Sequence, residues 1–395
     1  MSLPKGWKEI KLSTVIKSLD AGVSVNSEDR ICVSGECGIL KTSSVANGIF
    51  NAQEHKVIIC NEIKRARVSP TYDRIIMSRM NTPAFVGANA YVNETRLNLF
   101  LPDRLWQLVP KDPGVNMRWL SFVLGSSKYR AKLSAIATGT SNSMKNITKK
   151  DVKDLPICFP PKSEQDAIVK VLSTWDAAIE KTKRLVELKE KRFEWLLDEL
   201  INKPASIPDA KPNGWKKVML RNVVKIVKGR QLNVLHMVSD GKFYALNGGI
   251  EPSGYTNDWN TNENTVSISE GGNSCGFVNY NCEKFWAGGH CYTLQELKES
   301  VAVEFLYHFL KSKEQHIMKL RVGSGLPNIQ KKDIENFILS LPNLRKQNQI
   351  AQALSVAQSE IKLLKQLLEQ YKTQKRGLMQ KLLTGQWRVK VTGKK

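Results

Sequence analysis

Residues 155–172 read LPICFPPKSEQDAIVKVL, and residues 337–354 read FILSLPNLRKQNQIAQAL. The two stretches align without a gap at an offset of 182. Just before them, NITKKDV at 146–152 matches NIQKKDI at 328–334 with the same offset. The same segment therefore occurs twice, and an internal repeat of this size decides the architecture of the chain.

The beginnings of the two copies also match, because PKGWKEIKL at 4–12 resembles PNGWKKVML at 212–220. This pair is 208 residues apart, so the first copy carries about 26 more residues between its markers. In each copy an A unit comes first, over roughly 1–155 and 213–340, and a B unit follows it. The chain is a direct repeat of the form A-B-A′-B′.

Each B unit predicts one long helix with an apolar seam. Seam residues recur in steps of four and three over about four and a half heptads, which is the pattern of a coiled coil. A helix of about 40 residues is roughly 60 Å long. The seam positions are Ile168, Leu172, Trp175, Ile179, Thr182, Val186, Lys189, Phe193, Leu196 and Leu200 in the first helix, and Ile350, Leu354, Ala357, Ile361, Leu364, Leu368, Tyr371, Lys375, Leu378 and Leu382 in the second.

The A units have the pattern of mixed α/β domains. Short apolar runs, KVIIC at 56–60, RIIMS at 74–78 and NTVSIS at 264–269, alternate with turns rich in Gly and Asn and predict strands. Near the end of each A unit, one amphipathic helix is predicted, over 117–133 in the first and over 303–320 in the second.

The charge of the chain indicates its partners. Among 395 residues, 60 Lys and Arg stand against 37 Asp and Glu, giving a formal net charge of +23. Hydrophobic residues make up 41% and charged residues 25%, a composition that excludes collagen-like and disordered classes. A basic excess of this size favours polyanions as partners, nucleic acid above all.

Cysteine usage and hydropathy indicate the compartment. The seven cysteines include no CxxC pair, which favours free thiols in a reducing cytoplasm over a secreted disulfide framework. No stretch reaches the roughly 18 uninterrupted apolar residues of a membrane-spanning helix, and the opening MSLPKGW does not have the form of a signal peptide. We therefore expect a cytoplasmic protein that does not bind membranes.

Taken together, these features resemble the specificity (S) subunit of type I restriction-modification systems. The resemblance covers essentially the whole chain. It is carried by the A-B-A′-B′ layout, the PxGWK opening of each half, GTSNSMKNITKKDVKDLPI at 139–157, FPPKSEQDAI at 159–168 and LTGQWRV at 383–389. The second copy departs from the Glu-Gln of this pattern, because it has Lys346-Gln347.

The resemblance implies an α+β fold in which two mixed α/β target-recognition domains are separated by two long antiparallel coiled-coil helices, with a pseudo-twofold axis. Each domain would read one half of a bipartite DNA target, and the helices would set the spacer. The implied segments are target-recognition domain 1 (1–157), coiled-coil helix 1 (158–203), a linker (204–212), target-recognition domain 2 (213–341), and coiled-coil helix 2 with the C-terminal tail (342–390).

The resemblance also implies partner subunits that the helices would dock. Two modification subunits would bind S-adenosylmethionine and methylate adenine N6 in double-stranded DNA. Restriction subunits would use ATP and Mg²⁺ for translocation and cleavage. The chain itself would be a non-catalytic recognition subunit that holds no cofactor and no metal.

Two other functional classes fit the sequence less well. The chain lacks the motifs of a self-contained methyltransferase or nuclease. Its nearest approach to an adenine-methyltransferase tetrad is SPTY at 69–72, and no GxxxxGK[ST] loop is present. A coiled-coil scaffold whose ends bind protein does not account for the basic excess. Cys275, Cys282, His290 and Cys291 have ligand types that suit Zn²⁺, but their spacing matches no zinc finger, and we interpret them as packed side chains.

Candidate DNA contacts are basic, amide and hydroxyl side chains in the turns of each A unit. Arg and Asn read guanine and adenine edges bidentately, and Lys and Arg bind phosphates. The stretch 73–87 resembles the strand–turn–strand segment of the family, which favours Arg79 and Asn81 as base contacts; for each residue the alternative is a solvated basic face. The candidates are Arg65, Arg67, Arg79, Asn81, Thr82, Ser141, Asn142, Lys149 and Lys150 in the first half, and Lys228, Arg230, Gln231, Asn273, Ser274, Ser324, Lys331 and Lys332 in the second.

Overall fold

A computed structural model describes residues 3–141, 144–202, 214–323, 325 and 327–390. The chain forms two compact units. The first contains residues 1–181 and 368–395, and the second contains residues 182–367. The predicted linker at 204–212 lies outside the described residues.

The elements of the first copy begin with a strand and end with a long helix. The strands are β1 (Lys8–Lys11), β2 (Ile16–Ala21), β3 (Ser27–Glu28), β4 (Gly38–Leu40), β5 (His55–Ile58), β6 (Arg74–Ser78), β7 (Met80–Asn81), β8 (Asn89–Val92), β9 (Leu99–Phe100), β10 (Leu105–Pro110), β11 (Thr138–Ser141), β12 (Met144–Asn146) and β13 (Pro156–Phe159). The helices are α1 (Met117–Gly125), α2 (Ser127–Ile136), α3 (Lys149–Lys153) and α4 (Lys162–Leu197), which continues as a π-helical turn over Asp198–Asn202.

The second copy has the same plan with fewer strands. They are β14 (Lys216–Met219), β15 (Lys225–Lys228), β16 (Phe243–Leu246), β17 (Gly254–Thr256), β18 (Thr265–Ser269), β19 (Val278–Asn281), β20 (Trp286–Ala287), β21 (Cys291–Gln295) and β22 (Ile338–Leu341). The helices are α5 (Val303–Ser312), α6 (Glu314–Met318), α7 (Lys331–Glu335) and α8 (Leu344–Leu382).

Both copies are built on the same antiparallel four-stranded sheet, so the repeat in sequence is also a repeat of fold. The strand order is β2-β10-β6-β8 in the first copy and β15-β21-β18-β19 in the second. A two-stranded pair, β1 with β13 or β14 with β22, joins the beginning and the end of each domain. Among the described residues, the first copy adds the sheets β3-β5-β4-β9 and β11-β12-β7, whereas the second adds β17-β16-β20, in agreement with the greater length of the first.

The predicted strands RIIMS and NTVSIS are the central strands β6 and β18, and both are buried. In β6, Ile75 and Met77 point into the main core with Trp119 of α1, whereas Ile76 points into a smaller core with Leu40. Successive side chains of a strand point to opposite faces. A strand that is covered on both faces therefore reads as a continuous apolar run rather than an alternating one.

The predicted heptad seam is confirmed, because every seam residue of the two long helices is buried or half-buried. Within the first unit, α4 and α8 are antiparallel: Trp175 meets Tyr371 edge to face with ring centres 5.6 Å apart, and Glu164 at the start of α4 binds Arg388 beyond the end of α8. This antiparallel pair and the mixed domains agree with the expected α+β fold.

The two lysines in the seam each form an ion pair with an acid of the other long helix. Lys375 of α8 binds Asp176 of α4 in the first unit. In the second unit, Lys189 of α4 lies 2.6 Å from Glu360 of α8. A lysine stem packs along apolar surface while its ammonium reaches a polar partner, so the interruptions of the apolar pattern fit the helix pairing.

Each A unit ends in two short helices, and the prediction of one continuous helix was wrong. Ser126 has an extended backbone (φ −67°, ψ 151°), so α1 ends at Gly125 and α2 begins at Ser127. At Lys313, between α5 and α6, ψ is 10°. The hydrophobic pattern continues through both breaks because the short helices pack on the same core, and the pattern therefore does not locate the breaks.

A buried glutamine at the start of each long helix fastens that helix to the domain. The amide oxygen of Gln165 accepts from the backbone N–H of Asn116, the N-cap of α1 (2.8 Å), and its nitrogen donates to the carbonyl of Pro160 (2.9 Å). Gln347 makes the equivalent bonds, accepting from the N–H of Ala302 (3.0 Å) and donating to Pro342 (2.8 Å). Both side chains are almost completely buried, so these polar groups have no access to water as a substitute.

Replacement of Gln165 by leucine should therefore lower the free energy of unfolding of the first unit by about 1–3 kcal/mol, because a buried N–H and a buried carbonyl lose their partner. Gln347→Leu should have the same effect on the second unit. Exposed Gln380 on α8 supplies the control, and its replacement by leucine should change stability by less than about 0.5 kcal/mol. Urea unfolding followed by circular dichroism measures the three variants, and equal stability in all of them would contradict the structural role.

Candidate nucleic-acid interface

The turn after β6 is held against β12 by backbone hydrogen bonds. The amide of Arg79 donates to the carbonyl of Arg104 (2.9 Å), and the carbonyl of Arg79 accepts from the amide of Ile147 (3.0 Å). In β7, Asn81 lies opposite Lys145 of β12. The pairing brings together two segments that are separate candidates in the sequence, the basic turn and the stretch before α3.

The side chain of Arg79 lies over an aromatic ring. Its guanidinium carbon is 5.9 Å from the centre of the Trp106 ring, and the ammonium of Lys149 is 6.0 Å from the same ring, at the edge of the range in which a ring face attracts cations. The nearest carboxylate oxygen, on Asp103, is 3.8 Å from Nη2, and Nε has no acceptor among the described residues. The ring and a long ion pair thus hold the guanidinium, whose Nε is buried while the side chain as a whole is 29% exposed.

The amide of Asn81 is used within the turn itself. Its oxygen accepts from the backbone N–H of Thr82 (2.9 Å), and its nitrogen donates to the hydroxyl of Ser78 (3.3 Å). These two bonds hold the Asn81 side chain within the turn. A base contact by Asn81 would replace the bond to Ser78, whereas the side chain of Thr82 is exposed.

The loop after β7 is fixed by two side chains of α2. The guanidinium of Arg130 donates to the carbonyls of Val86 (2.7 Å) and Ala84 (2.9 Å), and the hydroxyl of Ser134 donates to the carbonyl of Pro83 (3.1 Å). Burial lowers the pKa of Arg130 from its ordinary value. Sequence reasoning missed this anchor, because an arginine in an amphipathic helix gives no sign of the distant loop that it binds.

Lys149 and Lys150 are exposed at the first turn of α3. The helix begins with a capping box, in which the hydroxyl of Thr148 accepts from the N–H of Asp151 and the Asp151 carboxylate accepts from the N–H of Thr148. The bonds from the side chain and backbone of Thr148 lower the pKa of Asp151. Ser141 ends β11, the outer strand of this small sheet, and Asn142 lies outside the described residues.

Arg65 and Arg67 belong to a different part of the first domain. Both side chains are exposed after β5, and Arg65 pairs with Glu62 at 2.5 Å. An exposed ion pair of this kind contributes little to stability. The contacts within the described residues do not join either arginine to the ring of Trp106, so these residues form a separate basic surface.

In the second domain the end of the central strand carries an acid, Glu270. Its carboxylate is 5% exposed and accepts from the ammonium of Lys228 (2.6 Å) and the hydroxyl of Tyr292 (2.9 Å). Burial opposes ionisation, but the bonds from Lys228 and Tyr292 outweigh it and hold the pKa of Glu270 below its ordinary value. The candidate Lys228 is thus tied to a buried carboxylate, which sequence reasoning did not select.

The other candidates of the second domain lie in the neighbouring turns. Arg230 and Gln231 are exposed just after β15, and the carbonyl of Arg230 accepts from the indole N–H of Trp286 (2.8 Å). In the turn after β18, Asn273 is exposed and Ser274 is half-buried.

The remaining candidates precede or begin α7. Lys331 and Lys332 are exposed at its start, as their counterparts are at the start of α3, and Lys331 lies 3.6 Å from Glu335. Ser324 lies outside the described residues.

Cys275 and Cys291 of the second domain are buried, as expected, whereas Cys282 and His290 are exposed, so the interpretation of all four residues as packed side chains was wrong for these two. The thiol of Cys275 is 3.1 Å from the carbonyl of Glu270, and burial raises the pKa of Cys291 to about 12. Within the described ranges, no group of three or more His, Cys, Asp or Glu is arranged to hold a metal ion. In the same part of the chain, no helix is both long and apolar enough to cross a membrane.

Comparison with known proteins identifies the family. The model of the type I restriction modification DNA specificity domain matches residues 4–190 and again residues 212–373. The chain belongs to this family. The two matches coincide with the two copies of the repeat.

Individual relatives agree with this assignment. The chain is 36% identical over 159 residues to a Mycoplasma pneumoniae protein named as a type I specificity subunit, an alignment that covers 40% of the chain and 42% of that protein. It is 22% identical over 431 residues to the specificity subunit of the type I restriction enzyme MjaVIII of Methanocaldococcus jannaschii, covering 99% and 95%. The chain spans 42% of the M. pneumoniae relative and 64% of one from Mycoplasma genitalium.

The fold is also that of a solved structure. The crystal structure of a type I restriction-modification S subunit from M. genitalium superposes with a TM-score of 0.71 at 19% identity, covering 97% of this chain and 98% of that one. The expected fold class is thereby confirmed.

Arg79 and Lys149 share one ring but should differ in the part of DNA that they recognise. Arg79→Ala should weaken binding to the preferred sequence by about 1–3 kcal/mol and relax the preference at one half-site, because the predicted bidentate base contact would be lost. Lys149→Ala should weaken binding to all duplexes about equally and reduce the slope of log K against log salt by about one. Binding to matched and scrambled duplexes over a salt series measures both, and identical behaviour of the variants would contradict the division into base and phosphate contacts.

Proposed function

We propose that this chain is the DNA-specificity subunit of a type I restriction-modification complex and that each domain reads one half of a bipartite target. The observation that carries the proposal is the repeated strand end. In the first domain Arg79 lies over the ring of Trp106 on the neighbouring strand. In the second, Lys228 lies opposite Tyr292 on the neighbouring strand, and both side chains bond the Glu270 carboxylate. Two readers on one chain fit a target with two separated parts.

Electrostatics supports double-stranded DNA as the ligand. The net charge of +23 attracts the phosphate backbone, and such binding releases counterions and depends steeply on salt. We assign phosphate contacts to the exposed lysine pairs at the starts of α3 and α7. Base edges are assigned to Arg79 and Asn81 in the first domain and to the side chains around Lys228 in the second. Further contacts are assigned to Arg65, Arg67, Thr82, Ser141, Asn142, Arg230, Gln231, Asn273, Ser274 and Ser324.

The catalytic work is assigned to partners. Two modification subunits would bind S-adenosylmethionine and methylate adenine N6, and restriction subunits would hydrolyse ATP with Mg²⁺ and cleave DNA. All seven cysteines of this chain are free thiols, which suits a cytoplasmic complex.

An apolar groove in the second unit supports the docking of a modification subunit. It has a volume of about 820 Å³ and lies between the start of α5 and the outward face of α8. Its lining includes Val303, Val356 and Leu363, of which the last two are 63% and 64% exposed. Val356 and Leu363 are seven residues apart on one helix face, a spacing that matches an apolar stripe on a partner helix.

Reconstitution tests this assignment. The purified chain alone should neither methylate nor cleave DNA, and with its modification subunit it should confer site-specific adenine methylation. The variant Val356→Glu with Leu363→Glu should lose co-purification with the modification subunit and methylation, while binding DNA with unchanged affinity. Gln366→Glu adds a charge to an exposed position of the same helix outside the groove and should leave both intact. Methylation by the chain alone with S-adenosylmethionine would overturn the proposal.

The long helices should act as a ruler between the half-sites. Four helix-forming residues inserted after Leu188 in α4 add about 6 Å of rise and rotate the downstream part of the chain by about 40°, and a coiled coil absorbs such a stutter by local unwinding. We expect the same half-sites with the unread gap lengthened by one or two base pairs, since a step of DNA is about 3.4 Å. Mapping methylated adenines for both proteins measures the gap, and an unchanged gap at full activity would show that the helices do not set it.

A further inference from the structure

The end of the central strand is the same backbone position in both domains. Arg79 and Glu270 each come directly after the last residue of that strand. Each carbonyl accepts from an isoleucine amide, Ile147 at 3.0 Å in the first domain and Ile329 at 2.9 Å in the second. Their amides donate to carbonyls that precede the neighbouring strand, of Arg104 and of His290, at 2.9 Å in both cases.

The neighbouring strand also presents equivalent rings to these positions. Trp106 of β10 lies opposite Met77 of β6, and Tyr292 of β21 lies opposite Ile268 of β18. The side chain at the strand end turns toward that ring in both domains, as the contact of Arg79 with Trp106 and the hydrogen bond of Glu270 with Tyr292 demonstrate. One structural position thus holds a cation in the first domain and an anion in the second.

The anion in the second domain does not face the ligand directly. The Glu270 carboxylate is 5% exposed, while the Lys228 side chain that bonds it is 52% exposed. The second oxygen of Glu270 lies 3.5 Å from Nδ1 of His290 and makes no hydrogen bond among the described residues. The carboxylate is therefore a buried support, and the exposed group at this strand end is the ammonium of Lys228.

We propose that Glu270 is a positioning residue that fixes Lys228 as the base-reading cation of the second domain, and that this pair takes the place of Arg79 of the first. The proposal rests on the DNA-reading function proposed above. An ammonium has three donors, so the bond to Glu270 leaves others for the O6 and N7 acceptors of guanine in the major groove.

The support matters because lysine is a flexible chain with a point charge, whereas the fork of arginine is already planar. Free rotamers must be fixed on binding at a cost in affinity. A lysine held by a buried carboxylate has already lost that freedom during folding. Glu270 should consequently contribute to the preference for one sequence over others rather than to general affinity for DNA.

The experiment uses the full chain in complex with its modification subunit. Selection from random duplexes gives the bipartite target of the wild type, and binding is then measured on that target and on a scrambled duplex. Glu270→Gln should lower the ratio of specific to non-specific affinity about five- to tenfold, with the loss confined to the second half-site. Non-specific affinity should not fall, because a negative charge has been removed from the vicinity of DNA.

A matched control lies at the other end of the strand pair β15–β21. Exposed Glu296 binds Lys225 at 2.6 Å, as Glu270 binds Lys228. Glu296→Gln removes the same charge from the vicinity of β21 and should leave the ratio of specific to non-specific affinity unchanged. An equal loss of ratio in both variants would overturn the proposal in favour of a general charge effect.

A double-mutant cycle separates positioning from a structural role. Lys228→Met should lower the ratio by itself, and Glu270→Gln should then have no further effect in that background. An equal effect of Glu270→Gln with and without Lys228 would refute positioning. If Glu270→Gln does not fold, Tyr292→Phe removes one hydrogen bond to the carboxylate and should show the same dependence on Lys228 in a weaker form. Failure of the wild type to select any second half-site would instead contradict the proposed function.

Discussion

The buried amide at the start of each long helix is the interaction that fixes each domain to its own helix. The side chain of each glutamine, Gln165 or Gln347, makes two hydrogen bonds. One is to the backbone at the beginning of a domain helix, and the other is to the proline carbonyl just before the long helix. A hydrophobic contact at this point would allow sliding, since burial is non-directional. Two directed hydrogen bonds in a dry site fix one orientation of the domain on its own helix.

Apart from this shared glutamine, the two domains have the same backbone arrangement and different side chains. The sheet order, the end pairing of strands and the hydrogen bonds at the strand ends recur, whereas Arg79 is replaced by Glu270 and Trp106 by Tyr292. Backbone hydrogen bonds do not depend on side-chain identity, so the framework tolerates changes at its surface. A repeated fold thereby presents side chains of different chemistry on equivalent scaffolds.

The sequence predicted the structural elements whose apolar residues recur at short, regular intervals along the chain. The heptad seam of α4 and α8 and the apolar runs of β6 and β18 follow from spacing alone, and the end of α1 at Ser126 does not, because the apolar pattern continues past it. The partners at the strand ends come from strands distant in sequence, as in the bond between Lys228 and Glu270. The offset between Arg79 and Glu270 is 191, which differs from both 182 and 208, so the repeat offsets do not align these two residues, and the aligned sheets do.

The chain enters and leaves each domain through adjacent strands, β1 beside β13 and β14 beside β22. Replacing all of the chain between such a pair changes the surface that a domain presents without changing where the following helix begins. Each domain is then a segment with adjacent ends, and the repeated stretches 146–172 and 328–354 each stand where a domain passes into its long helix. The fold thus allows one whole domain to be exchanged while its joint with the following helix is kept.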